Sequence, residues 1–445
     1  MSDDVEAANV SGGDREPPGG YTGGEAPRGL RTYEVHQRER PGEATPLIRP
    51  GELRSAEYLR DPYRLLTILR ENYPCYRDWS GNAYWITRYD DVTSMFQDDA
   101  NYQTRSKRWW YGMPEFGQDL GASLAVLVAH ADGTDAHASR LAEELIGRMT
   151  AHGDADLSAE LALRLPNELL ARILDLPADD VSWFAERCVA MQRGIHADPV
   201  AEQAGRRAIA ELVEYFRPLV EARRVEPGPD LVSAIAGIDT DGSPGSAQDV
   251  VATLLEADHE TLPGALANVW FLLLTHPEQL EEVVADRRLV KSAYLEALRH
   301  STPVLSAPRF ARHEVERFGR LLPTGALIMC SAAAANRDPR AFTDPDEFLV
   351  TRKDLCQREP RGQYRADGLC SGIAFGPGKP SIHPAVPEDR PRSKYALTRD
   401  VAVLVSSMLL DAAPKIRLAA GAQPALQSLQ HGEMHTCWNL PVTLQ

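Results

Sequence analysis

Apolar positions recur at helical spacing over most of the chain from Asp61 onward, and at strand spacing in only a few short stretches. In Asp61-Pro62-Tyr63-Arg64-Leu65-Leu66-Thr67-Ile68-Leu69-Arg70 a capping aspartate and a proline precede apolar residues three and four apart, which predicts a helix. Ala83 to Tyr89, after a Gly81-Asn82 turn, predicts a strand, and Asp90-Asp91-Val92 predicts the cap of the next helix. Leu161 to Met191 reads as helical, opened by Leu163-Arg164-Leu165-Pro166 and interrupted at Leu176-Pro177-Ala178-Asp179-Asp180. Glu211 to Arg224 reads as an amphipathic helix, followed by the turn Glu226-Pro227-Gly228-Pro229-Asp230-Leu231, and a further helix is predicted from about Val250 to Thr275. Strand signals are confined to short runs such as Leu327-Ile328-Met329 and Leu440-Pro441-Val442-Thr443-Leu444. Long helices with few short strands and no internal repeat predict a mainly α (α+β) domain with small β-sheets.

The first 46 residues break this pattern: paired glycines and prolines, many charges and few large apolar side chains cannot bury enough surface to offset ordering entropy. They are expected to form a disordered N-terminal tail, with residues 47–445 as one domain. The formal net charge of −16 argues against nucleic acid and anionic membrane as partners, both of which demand basic patches. Six scattered cysteines without a C-x-x-C pair indicate neither a disulfide framework nor a metal site, and a reducing cytoplasm is the expected compartment. Met1-Ser2-Asp3-Asp4 starts no apolar leader, and the apolar run Val269 to Leu274 is too short to span a bilayer.

Several motifs follow one another in a specific order. Ala257-Asp258-His259-Glu260-Thr261 lies on the predicted long helix; Glu296-Ala297-Leu298-Arg299 has E-x-x-R spacing; then come Pro308-Arg309-Phe310, Ala335-Asn336-Arg337-Asp338-Pro339-Arg340-Ala341-Phe342, Arg352 and Phe375-Gly376-Pro377-Gly378. This series, from about Glu57 to the C-terminus, resembles the bacterial cytochromes P-450, and the resemblance implies that family's fold. It also implies a buried structural network of Glu296, Arg299 and Arg352, a proton-delivering acid–alcohol pair at Glu260 and Thr261, and a haem-propionate contact at Arg309. Asp258 stands where the family has a glycine and Pro263 follows the pair, so Glu260 and Thr261 are expected to be vestigial. The family's H-x-x-x-R propionate motif is matched only approximately by His137 and Arg140; alignment on Arg140-Leu141 puts Ala142 at the later arginine position.

The haem loop departs furthest. The family's F-G-x-G-x-H-x-C-x-G is followed from Phe375 through Gly376 and Gly378, after which Pro380 stands at the histidine position, Ile382 at the cysteine position and Pro384 at the last glycine. Counting backward from Leu397-Thr398-Arg399 puts Arg392 at the ligand position instead, so the loop carries an insertion through Glu388-Asp389-Arg390-Pro391-Arg392. On neither count is there a thiol, and none occurs between Cys370 and Cys437. A thiolate ligand favours O–O cleavage at iron, so the expectation is a disrupted loop, no bound haem, no catalytic residue and no monooxygenase activity. Within the superfamily, the chain resembles the cysteine-less auxiliary proteins of antibiotic deoxysugar glycosyltransferases. That resemblance implies a non-catalytic, hetero-oligomeric activator of a glycosyltransferase acting on macrolide or anthracycline aglycones. Two alternatives stand beside it: a haem-independent enzyme using Glu260, His259 or Asp258 in the emptied cavity, and a haem protein with a non-thiolate ligand, for which His383 is the candidate.

Overall fold

The computed structural model describes residues 48–112, 134–195, 199–240, 243–256, 261–355, 373, 394–430 and 434–445. Within them the chain is mainly helical, with short strands gathered in small sheets.

The first predicted helix runs Tyr63–Asn72, and the Asp61 carboxylate accepts from the Tyr63 amide at 3.1 Å. The next, Tyr89–Gln97, is held differently from its prediction. Its cap position is Arg88; Asp90 and Asp91 sit in the first turn, where their charge favours the helix N-terminus, and the Tyr89 amide donates to Asp338 Oδ2 at 2.9 Å. A carboxylate 249 residues away thus supplies the cap, which local sequence cannot reveal. Leu165–Ile173 and Val181–Arg193 flank the predicted break. The amphipathic helix is longer than expected, Pro199–Val225, and continues through Pro218. Asp230 caps Leu231–Ala236 by accepting from the Ser233 amide at 2.9 Å.

The principal sheet has five strands in the order Tyr76–Asp78, Ala83–Ile86, Leu327–Cys330, Ala307–Ala311, Tyr102–Gln103. Leu327–Cys330 pairs parallel with Ala83–Ile86 and antiparallel with Ala307–Ala311, in a register that sets Ile328 opposite Arg309 and Leu327 opposite Phe310. Because successive strand residues face opposite sides, Arg309 and Phe310 are committed to different faces of this sheet.

The long helix predicted from Val250 is described as Ala247–Glu256 and Thr261–Thr275, with residues 257–260 outside the description. The second of these is apolar around its whole circumference, and Leu266, Val269, Trp270, Leu272 and Leu273 are all buried. Such a helix belongs at the centre of a fold. It packs on Leu289–His300 and Lys394–Ala412 within the largest apolar cluster. None of the helices described is long and apolar enough to cross a membrane.

Candidate functional site

Glu296 and Arg299 lie three residues apart on the helix Leu289–His300, on one face, and both are buried. Arg299 donates through Nε and Nη2 to the two Glu296 carboxylate oxygens at 2.8 Å each, and Arg352 Nε donates to Glu296 Oε1 at 2.9 Å. The remaining donors are used as well. Arg299 Nη1 reaches the carbonyls of Asn336 and Pro345, its Nη2 reaches that of Glu347, and Arg352 reaches those of Thr343, Asp344 and Glu347, with its Nη1 also 3.3 Å from Asp354 Oδ1. Two guanidinium groups and one carboxylate are therefore buried with full hydrogen bonding, the condition under which buried charge is tolerable. The network also reaches the segment that leads into the haem-type loop, because Asn336 Oδ1 accepts from the Ile373 amide at 2.9 Å.

Nearby, burial together with Arg337 and Arg299 pushes His300 down to about 2, which keeps it neutral. Its Nε2 lies 3.0 Å from the Asp346 carbonyl, which assigns the proton to that nitrogen. His435 is also lowered, to about 4, chiefly by burial.

Arg309 is held in another way. It is 2% exposed, and its Nη2 donates to Asp99 Oδ1 at 2.8 Å and its Nη1 to Thr104 Oγ1 at 3.1 Å. The carbonyls of Asp98 and Tyr102 lie 3.3 Å from Nη2, while Nε has no partner. The Asp99 side chain is about half exposed, at 49%. On the opposite face of the strand, Phe310 packs edge-on against Trp109 at 5.1 Å, and Trp109 against Trp110 at 5.2 Å.

Of the residues singled out in the sequence, the structure brings together Glu296, Arg299 and Arg352 and leaves Arg309 apart from them. Phe375, Gly376, Gly378, Ile382, His383 and Arg392 lie outside the described residues, as do Asp258, His259 and Glu260; Thr261 is described only as the start of its helix. His137 and Arg140 lie in the helix Thr134–His152, where Arg140 donates to the Ala136 carbonyl and Ala142 is fully buried. The four cysteines described are free and buried, and burial pushes Cys75 and Cys330 up to about 12 and Cys437 up to about 11, so these thiols stay protonated at neutral pH.

Two structural participants escaped sequence reasoning. Asn268, in the apolar helix, donates to the Ser301 and His435 carbonyls at 2.7 and 3.0 Å and accepts from Thr436 Oγ1 at 2.8 Å. A lone amide inside the run Leu262 to Leu274 was the available signal. Asp99 carried no signal, because its partner is 210 positions distant.

A family model described as Cytochrome P-450 matches residues 246–354. Pulcherriminic acid synthase of Bacillus subtilis (strain 168) is 28% identical over 384 residues, covering 82% of this chain and 91% of that protein. Cyclomarin C epoxidase CymV of Salinispora arenicola (strain CNS-205) is 30% identical over 318 residues, covering 66% of this chain and 80% of that protein. Among solved structures, the bacillaene polyketide synthase cytochrome P-450 PksS of Bacillus subtilis 168 superposes with a TM-score of 0.71 at 22% identity, covering 90% of this chain and all of that one.

These findings correct two expectations. The relatives are named as a synthase and an epoxidase, which overturns the expectation that the chain is not an enzyme. The family they share implies a haem, which overturns the expectation of no cofactor. Both expectations rested on local departures, the missing thiol of the loop 375–392, Pro380 and Ala142 at propionate positions and Asp258 and Pro263 around the acid–alcohol pair, whereas the likeness to named catalysts extends over most of the chain. As the described side chains stand, they do not fit a pair of haem propionates. Ala142 offers no donor, and the guanidinium of Arg309 already faces the Asp99 carboxylate, which would repel a second one.

Proposed function

Because the chain belongs to the cytochrome P-450 family, keeps that family's buried Glu-Arg-Arg network and has no cysteine in its haem-type loop, we propose that it binds, stabilises and activates a partner deoxysugar glycosyltransferase in macrolide or anthracycline antibiotic biosynthesis. The observation that carries this proposal is the contrast along the sequence, from Glu296, Arg299 and Arg352 in place to Ile382 or Arg392 at the ligand position. A scaffold held by a fully bonded core presents a fixed surface. Such a surface activates a partner when it binds the partner's active conformation more tightly than its inactive one. A tenfold activation of a minor active state requires only a tenfold preference for that state.

The test is sugar transfer by a purified deoxysugar glycosyltransferase with its nucleotide sugar and aglycone, measured as this chain is titrated in. A saturating rise of roughly tenfold or more is the expected outcome. An unchanged rate at every ratio contradicts it.

A second function is favoured by the relatives' names, a synthase and an epoxidase: oxidation of a small molecule. When bound, a haem supplies oxygen-activating iron for such chemistry. It is tested separately, by incorporation of labelled oxygen into candidate small molecules in the presence of an electron donor.

A further inference from the structure

The helices Val181–Arg193 and Pro199–Val225 pack together, and the seam between them carries two open surface grooves. Trp183, Tyr215, Glu211 and Glu214 line one, and Val189, Ala190, Ala201 and Ala204 line the other. The helices run antiparallel, because the Trp183 and Tyr215 rings lie 5.0 Å apart and Arg187 donates to Glu211 at 2.9 Å. Charge is divided along this seam. At the Trp183 end, Asp180, Glu186, Glu211 and Glu214 are met by Arg187, shared between Glu186 and Glu211, and by Arg217, paired with Glu214. Four carboxylates against two guanidinium groups leave an excess of two negative charges. At the other end Arg206 is paired with Glu202, while Arg193 lines the second groove and the exposed Arg207 lies three residues past Ala204 on the same stripe, an excess of two positive charges. Between the two ends the surface is apolar, with Val189 38% exposed.

We infer that this seam is the interface of a homodimer, with a second copy of the chain as its occupant. A two-fold contact uses the same surface on both copies, so that surface must complement itself. Here it does. Turning one copy through 180° about an axis that crosses both helices near Val189 lays the acidic end of each copy on the basic end of the other and brings the two Val189 side chains together at the centre. A partner of uniform charge would be attracted at one end and repelled at the other, which favours a second copy as the occupant. Because Val181–Arg193 is only about 20 Å long, the contact is small and the dimer is expected to dissociate in the micromolar range. The inference rests on neither of the functions proposed above.

The test is sedimentation velocity of the full chain over a range from about 1 to 200 µM, with two charge-reversed forms confirmed as folded by circular dichroism. Glu211→Arg with Glu214→Arg makes both ends basic, and Arg193→Glu with Arg207→Glu makes both ends acidic. Wild type is expected to move to a faster boundary as concentration rises. Each charge-reversed form alone is expected to associate roughly a hundredfold more weakly, because like charges then oppose each other. An equimolar mixture of the two forms is expected to recover the faster boundary, since a basic face then meets an acidic one. A wild type that sediments as a monomer throughout, charge-reversed forms that associate as wild type does, or a mixture that stays monomeric would each overturn the proposal.

Discussion

Two sets of buried arginines in this molecule meet their charge in opposite ways. Arg299 and Arg352 share the enclosed Glu296 and spend their other donors chiefly on backbone carbonyls of the segment from Asn336 to Glu347, with one Arg352 nitrogen also meeting the partly exposed Asp354 carboxylate at 3.3 Å. Arg309, equally buried, relies on a half-exposed aspartate and leaves Nε unused. In the first arrangement no water can replace the carboxylate, so the partners fix one another and the backbone around them. In the second, solvent already reaches the counter-ion, so it can leave at modest cost. The difference separates an enclosed ion network from an ion pair that is open to solvent on one side.

The sharpest way to break this comparison is to remove the shared carboxylate. Glu296→Gln leaves the buried Arg299 uncompensated and Arg352 with only the partly exposed Asp354, and is expected to cost about 3–5 kcal/mol, read as a lowered denaturant midpoint. A loss below about 1 kcal/mol would put Glu296 in the same class as Asp99.

Acid is a second probe of the rigid side. His300 and His435 are neutral in the fold, with values lowered from 6.5 to about 2 and about 4. Each is deprotonated in both folded and unfolded chains at pH 8, so neither contributes a pH dependence there. Below about pH 6.5 the unfolded chain takes up the proton first, so stability falls with falling pH, by up to about 1.4 kcal/mol per pH unit for each histidine. The His435 share of that slope ends near pH 4 and the His300 share continues lower. Denaturant unfolding at pH 7 and pH 5 should show the loss, and His300→Gln should make it shallower; an unchanged difference would mean that His300 is not held neutral.

The smallest expected effect falls on the solvent-open side. Asp99→Asn should lower stability by about 1 kcal/mol or less, because its partner keeps three neutral contacts and the Asp99 position is half open to solvent. A loss comparable with that of Glu296→Gln would erase the distinction between the two systems.

The sequence made the first system legible and hid the second. E-x-x-R spacing, the Asn336-Arg337-Asp338-Pro339 segment and Arg352 come in a fixed order, and the helix brings Glu296 and Arg299 together by its own geometry. Asp99 meets Arg309 only because Tyr102–Gln103 pairs with Ala307–Ala311, and pairing between strands so far apart leaves no local trace. The same reason explains Asp338 as the cap of Tyr89–Gln97, where Asp90 was the expected one. Periodicity located the long helices and shortened one of them, Pro199–Val225, because Glu202, Arg206 and Arg207 dilute the apolar stripe before Glu211. The expectations of no haem and no catalysis came from a few local departures, chiefly the missing thiol, and failed against the likeness to named enzymes across most of the chain.

We propose that the rigid core of this P-450 fold serves a partner. The most direct measurement of that claim is sedimentation velocity of this chain mixed with a purified deoxysugar glycosyltransferase. A faster boundary containing both proteins, growing with concentration until one component is exhausted, is the predicted result. Two boundaries that sediment as the separate proteins do, at every concentration and with the nucleotide sugar present, would contradict it.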